Sequence, residues 1–314
     1  MAKVPFRERY RVSRQIFGQT MQMLGSQRDL WVFPVLAWLS MLPFIALAIT
    51  AMVFAFTQHD LGWLLAVGKW MDQAGPAAPF AFLLLMPVLM LVMYPFMVLG
   101  SLFNAALVFA AHERLEGRPG RKREAWRRAL GQLGPIARFN FVAMLVTGAL
   151  SVVGQLLNKL RLVPFLGRFV QTLGAFAWAA AAYFVIPILV VERERSALGA
   201  LRSSVGLARQ QWGKSVAGIV TINLVFTVPI MAVALLMFVP IFAFSAGAGS
   251  ATMLLWMGIV LGIFFLAVLV TSVISGAAQA LYQTALYRYA RTGVVSLPYT
   301  PETLVDSWSS YQNE

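Results

Sequence analysis

From Phe80 to Ala111 the chain carries no charged side chain, and from Phe139 to Leu157 it carries none again. A helix through the first run would be about 48 Å long at roughly 1.5 Å per residue. That exceeds the hydrocarbon core of a bilayer, about 30 Å, so such a helix must tilt, bend at Pro87 or Pro95, or project beyond the lipid. Between the two runs lies a segment of opposite character. His112 to Arg138 holds eight of the chain's twenty-five Lys and Arg residues. A basic segment between two membrane-length runs reads as an elbow on the cytoplasmic lipid surface.

Composition turns this local pattern into a class. Charged residues make up 12% of the 314 and hydrophobic residues 60%, whereas a soluble domain carries about a quarter charged residues. The chain is expected to be an integral, all-α membrane protein. Its net charge of +13 would suggest nucleic acid in a soluble protein. Here the same excess follows from the positive-inside rule and attraction to anionic headgroups, so no nucleic-acid partner is expected.

Six spans are expected, at about 31–56, 80–111, 139–157, 169–191, 216–244 and 252–289. An N-terminal segment, 1–30, carries Tyr10, Phe17, Met21 and Leu24 on one helical sector with Arg7, Arg11 and Arg14 beside it. A polar tail, 291–314, follows the six-span domain of 31–290. With the amino terminus inside, twenty-one of the twenty-five basic residues face the cytoplasm. Lys69, Lys159, Arg161 and Arg168 remain outside. Both termini are therefore expected in the cytoplasm, with the first span as its own insertion signal in a bacterial inner membrane.

The basic segments repeat. In the first elbow Trp126, Leu130, Leu133 and Ile136 are expected on one face, with Arg121, Glu124 and Arg128 opposite and Gly134-Pro135 ending the helix. In the second, Leu198, Leu201, Val205, Ala208 and Trp212 recur at helical spacing, edged by Arg195, Arg202 and Arg209. A basic helix before every odd span implies a threefold layout over roughly 7–111, 118–191 and 195–289. Arg121, Lys122, Arg123, Arg127, Arg128, Arg195, Arg202 and Arg209 are the expected contacts to anionic phospholipid headgroups.

Chemistry is sparse. There is no cysteine, and His59 and His112 fall on opposite sides of the expected membrane, so no metal, cofactor or thiol chemistry is expected. Within the spans the one charged residue is Arg288, at the cytoplasmic end of the sixth, and the absence of charge deeper in argues against a proton-coupled pump. No phosphate loop, nucleophile elbow or zinc motif is present, and the chain is not expected to be an enzyme. Uncharged polar residues remain: Asn104, Asn140, Asn223, Ser275, Gln279 and Gln283. They are either glue between helices or the lining of a polar cavity. The function expected is a conduit for a small neutral or amphiphilic solute, and the alternative is a non-transporting scaffold that binds or organises anionic lipid through its basic helices. The conduit reading places Asn104 and Gln279 on one cavity.

Four stretches carry a resemblance. They are Arg28-Asp29-Leu30-Trp31-Val32-Phe33-Pro34, Phe103-Asn104-Ala105-Ala106-Leu107, the run from Phe184 to Glu192, and Ala285-Leu286-Tyr287-Arg288-Tyr289. Taken in order, they resemble a family of prokaryotic six-span membrane proteins known as a domain of unknown function. The resemblance implies a fold and a topology but no activity. In layout only, the chain is similar to the membrane domain attached to some glycerophosphodiester phosphodiesterases.

Overall fold

The computed structural model describes residues 18–23, 28–40, 78–159, 166–209 and 250–295, with isolated positions at 25, 42–43, 50, 69 and 231. Every regular element among them is helical. A 3-10 turn, Arg28–Trp31, leads into α1, Val32–Leu39. Then come α2, Ala78–Leu115, α3, Lys122–Gly131, and α4, Leu133–Lys159. These are followed by α5, Leu166–Ala182, α6, Val185–Val191, α7 over residues 197–209, and α8, Ser250–Thr292.

Four stretches are long and apolar enough to cross a membrane: Met90–Leu115, Leu133–Leu157, Gly167–Val191 and Gly262–Thr292. They correspond to expected spans two, three, four and six. Span one is described only in part, and span five only at position 231. The outward side chains complete the argument. Leu91, Leu145, Leu156, Phe169, Leu173, Ile263 and Leu266 are each more than half exposed, as suits helices whose outer faces meet lipid. The chain is a multi-pass membrane protein.

Three stretches share one gradient along their length. In α2 the segment around Leu91 and Val92 is exposed, whereas Ala105 to His112 are all buried. In Gly167–Val191, Phe169, Leu173 and Phe176 are exposed and Phe184 to Val190 are buried. In α8, Ile263 and Leu266 are exposed, while Ala277, Ala278 and Ala280 to Tyr282 are buried. A helix apolar and buried all round is one enclosed by protein. Alanine pairs at 105–106, 110–111 and 277–278 suit it, because small side chains let neighbouring backbones approach.

The chain forms two compact units. One comprises Leu36–Ala105 and Trp126–Val205, and the other Met1–Val35, Ala106–Ala125 and Gly206–Glu314. Within the first, α4 and α5 form an antiparallel hairpin seamed by glycine. A Cβ on Gly174 would lie 2.5 Å from Leu150 Cδ2, and one on Gly154 would lie 3.0 Å from Gln171 Oε1. Phe139 and Trp178 stack at 6.3 Å across the same pair.

Two helix boundaries differ from expectation, and proline explains both. Span four is not one helix, because it breaks at Tyr183–Phe184. The ring of Pro187 collides with the carbonyl four residues back, that of Tyr183, and supplies no N–H to it. The amide of Phe184 finds a partner elsewhere, donating to Ser204 Oγ at 3.0 Å. Pro135, expected to end the first elbow, instead sits in the opening turn of α4, where its missing N–H costs nothing. The break falls earlier, at Gly131–Gln132.

Candidate functional site

The basic stretch after α2 begins with a Schellman closure. Gly117, at φ 78°, takes the left-handed position. Its N–H donates to the Arg114 carbonyl at 3.0 Å, and the Arg118 N–H donates to the Glu113 carbonyl at 2.9 Å, satisfying two orphan carbonyls at the helix end. The same two residues pair through their side chains. Arg118 Nε and Nη2 donate to the two Glu113 carboxylate oxygens at 2.6 and 2.7 Å, and Arg118 also bonds Glu116. Gly120, at φ 52°, packs so closely that a Cβ would lie 2.7 Å from the Ala110 carbonyl oxygen.

This turn is tied to both ends of its own unit. Asp29 accepts from Lys122 Nζ at 2.5 Å and faces Arg114 at 3.9 Å. The Lys122 hydrogen bond, then the two positive charges, hold the Asp29 carboxyl below its usual pKa. Arg288 of α8 donates to the Leu115 carbonyl. His112 is buried, with its ring against the edge of Tyr287 at 6.5 Å and Nε2 3.4 Å from Glu116. His112, Glu113 and Glu116 thus belong to a helix-end lock. Among the described residues no group of three acidic or His side chains could hold a metal.

The faces of the two basic helices differ from the expected ones. In α3, Ala125, Ala129 and the following Gln132 are buried, Leu130 and Leu133 are 43% and 44% exposed, and Trp126 stacks on Phe103 at 5.0 Å. In α7, Ala197, Ala200, Ser204, Leu207 and Ala208 are buried while Leu198 is 57% exposed. Of the expected apolar stripe there, Ala208 alone is buried, Leu201 and Val205 are half-buried, and Trp212 lies outside the described residues. Each helix turns a mostly small-residue face to protein, joined in α7 by Leu207, and carries Leu130 or Leu198 on its other side.

The expected headgroup arginines divide accordingly. Arg121, Arg123, Arg127, Arg195, Arg202 and Arg209 are exposed, and Lys122 is exposed but paired with Asp29. Arg128 departs from the set. Its Nε donates to the Val190 carbonyl at 2.9 Å and its Nη2 to that of Val191 at 3.3 Å, so it caps the C-terminal end of α6.

The uncharged polar residues are also dispersed. Asn140 is buried, and its amide is used at both ends. Nδ2 donates to the Ile136 carbonyl at 2.9 Å and Oδ1 accepts from Ser101 Oγ at 3.0 Å. Asn104 is half-buried. Ser275 is half-buried and bonds the Ser272 carbonyl at 3.1 Å. Gln283 is half-buried and Gln279 exposed, while Asn223 lies outside the described residues.

An open cleft of about 840 Å³ lies in the unit containing α4. Tyr94, Arg138, Phe141, Glu194, Arg195 and Leu198 are among its lining residues. Tyr94 is fixed from two sides, donating to the Ala137 carbonyl at 2.8 Å and meeting Phe141 edge to face at 6.2 Å. Glu194 Oε1 accepts from the Ser196 amide at 2.9 Å, and Ser196 Oγ accepts from the Gly199 amide at 3.1 Å, which caps the start of α7. Sequence reasoning passed over Tyr94 and Glu194 because neither has a motif around it. The available signal was charge at a span boundary: Arg138 opens one apolar run and Glu194-Arg195 closes another.

Residues 80–297 match a family model described as a family of unknown function, DUF6159. No curated protein and no solved structure matches the chain.

Proposed function

We propose, from the premise that the chain belongs to the DUF6159 family of unknown function, that this protein is a non-enzymatic membrane scaffold. It gathers anionic phospholipid at the cytoplasmic face of a bacterial inner membrane. The observation that carries this reading is the doubled face of α3 and α7. In each, alanines seat the helix on protein, and the other side carries exposed leucine beside exposed arginine: Leu130 with Arg123 and Arg127, Leu198 with Arg195, Arg202 and Arg209. Such a surface lies in the headgroup layer with leucine toward the acyl chains and guanidinium groups at the phosphates.

The reading includes six spans, both termini in the cytoplasm, and a threefold layout. The twenty-one-to-four division of basic residues supports the orientation. The shared gradient along the second, fourth and sixth spans supports the layout, since each is protein-enclosed at the end expected in the cytoplasm. The conduit reading has less support, because Asn140, one of the amides it relies on, is already bonded at both ends.

Electron spin resonance of the full chain in phosphatidylcholine vesicles tests the scaffold. Spin-labelled phosphatidylglycerol should be enriched severalfold over phosphatidylcholine in the layer around the protein. Each basic residue near an anionic surface contributes about 1 kcal/mol, so enrichment should fall as salt rises and in a variant with Arg123, Arg127, Arg202 and Arg209 changed to Gln. Equal motional restriction of both lipids would sink the reading.

A further inference from the structure

We infer that the cleft beside α4 is a site for one phospholipid whose headgroup carries a primary amine. The inference rests on the proposed position of the basic helices at headgroup depth, and it asks for more than general attraction to anions. Arg138 opens the apolar stretch of α4, and Glu194 and Arg195 follow directly after α6, so all three stand where a span meets the headgroup layer. Neither Arg138 nor Arg195 has an ion-pair partner among the described residues, and both are exposed. Two guanidinium groups in one cleft suit a phosphate, which accepts their planar forks.

Glu194 decides what else the ligand must carry. A carboxylate beside a bound phosphate repels it, unless the same ligand brings a positive group. One oxygen of Glu194 is held by the Ser196 amide, which fixes the carboxylate at the wall of the cleft that Glu194 lines. Tyr94 spends its hydroxyl proton on the Ala137 carbonyl, so its oxygen is left as an acceptor. A primary ammonium supplies donors to both, whereas a trimethylated amine has no N–H to give. The apolar remainder of the lining suits acyl chain: Phe141 is 47% exposed and Leu198 57%. The volume, about 840 Å³, takes a headgroup and the first part of its chains. The site does not draw on the start of α7, where the Ser196 amide already bonds Glu194 and the Gly199 amide bonds Ser196 Oγ.

Native mass spectrometry of the detergent-solubilised full chain, titrated with phosphatidylethanolamine, phosphatidylcholine and phosphatidylglycerol at equal concentration, tests this. The expected result is one phosphatidylethanolamine retained in preference to both others. Arg138→Gln with Arg195→Gln should weaken its retention by about tenfold, as loss of charge-assisted hydrogen bonds requires. Glu194→Gln keeps an oxygen for the Ser196 amide, so the helix start survives. It should abolish the preference for phosphatidylethanolamine over phosphatidylcholine. Equal retention of all three by the native chain, retention of none, or phosphatidylglycerol held in place of phosphatidylethanolamine would each overturn the inference. None of these results depends on a variant folding. Failure of the scaffold reading is separate: it concerns many exchanging lipids seen by spin resonance, not one retained molecule.

Discussion

Arg128 reaches 62 residues along the chain to donate its Nε–H to the carbonyl of Val190 at 2.9 Å. With the second bond to Val191 at 3.3 Å, it places a full positive charge on the carbonyl end of α6, where the helix dipole is negative. Arg288 does the same at Leu115, the end of α2. Two helix ends that leave the buried interior are therefore closed by an arginine from another helix.

Removing this closure should be costly. A hydrogen bond from a charged donor contributes about 1.5–3 kcal/mol, so Arg128→Ala should lower thermal stability in detergent by about that much. Arg128→Lys keeps the charge but loses the planar fork, and should recover only part of it. An unchanged melting temperature for Arg128→Ala would show the contact to be idle.

The turn after α2 makes a second, more local prediction. Gly120→Ala puts a Cβ 2.7 Å from a backbone oxygen at a positive φ, and Gly117→Ala disturbs the left-handed closure in otherwise open space. Both should destabilise, Gly117→Ala by about 1 kcal/mol and Gly120→Ala by more. Gly131→Ala, with nothing near its Cβ and no positive φ at the last residue of α3, should be neutral or mildly stabilising. Melting curves of the three variants give the order, and Gly131→Ala as the worst would contradict it.

The class was legible because charge-free runs leave little choice: a backbone in lipid must satisfy its own hydrogen bonds. The faces of α3 and α7 were not. Periodicity counts leucine heavily and alanine lightly, yet alanine lets these helices seat on protein, which frees leucine to turn outward. Arg128 reads as one more basic residue in a basic stretch, and only the approach of α6 gives it a different task. The cleft was illegible for a similar reason. Tyr94, Arg138 and Glu194 lie far apart in sequence, and helix packing alone gathers them.

Asp29 gives its unit an acid-side pH dependence. Its folded pKa is depressed by Lys122 and then by Arg114. The stability it contributes is therefore present above its unfolded value, about 3.9, and is lost as pH falls through the folded one. At neutral pH the pair is exposed, and salt screens it. Hydrogen exchange of the Arg28–Trp31 turn should speed up only below about pH 4, and Asp29→Asn should remove that acid step. A step centred near pH 6 would implicate another group.

Asn140 separates glue from lining. Its bond from Ser101 joins α4 to α2 inside one unit, and its bond to the Ile136 carbonyl stays within α4. Replacing it with Leu removes the acceptor for Ser101 and leaves that hydroxyl to find another partner in an apolar setting. Polar bonds between membrane helices contribute about 1 kcal/mol, so Asn140→Leu should lower the melting temperature measurably. Ser101→Ala should lower it less, and the double variant should cost less than the two single changes added together, because they share one bond. Under the scaffold reading, vesicles holding either variant pass small neutral solutes no differently from vesicles holding the native chain. Under the conduit reading, flux changes while the melting temperature stays put. A stable Asn140→Leu protein with altered flux would therefore restore the conduit and remove the lipid scaffold as the explanation of this interior.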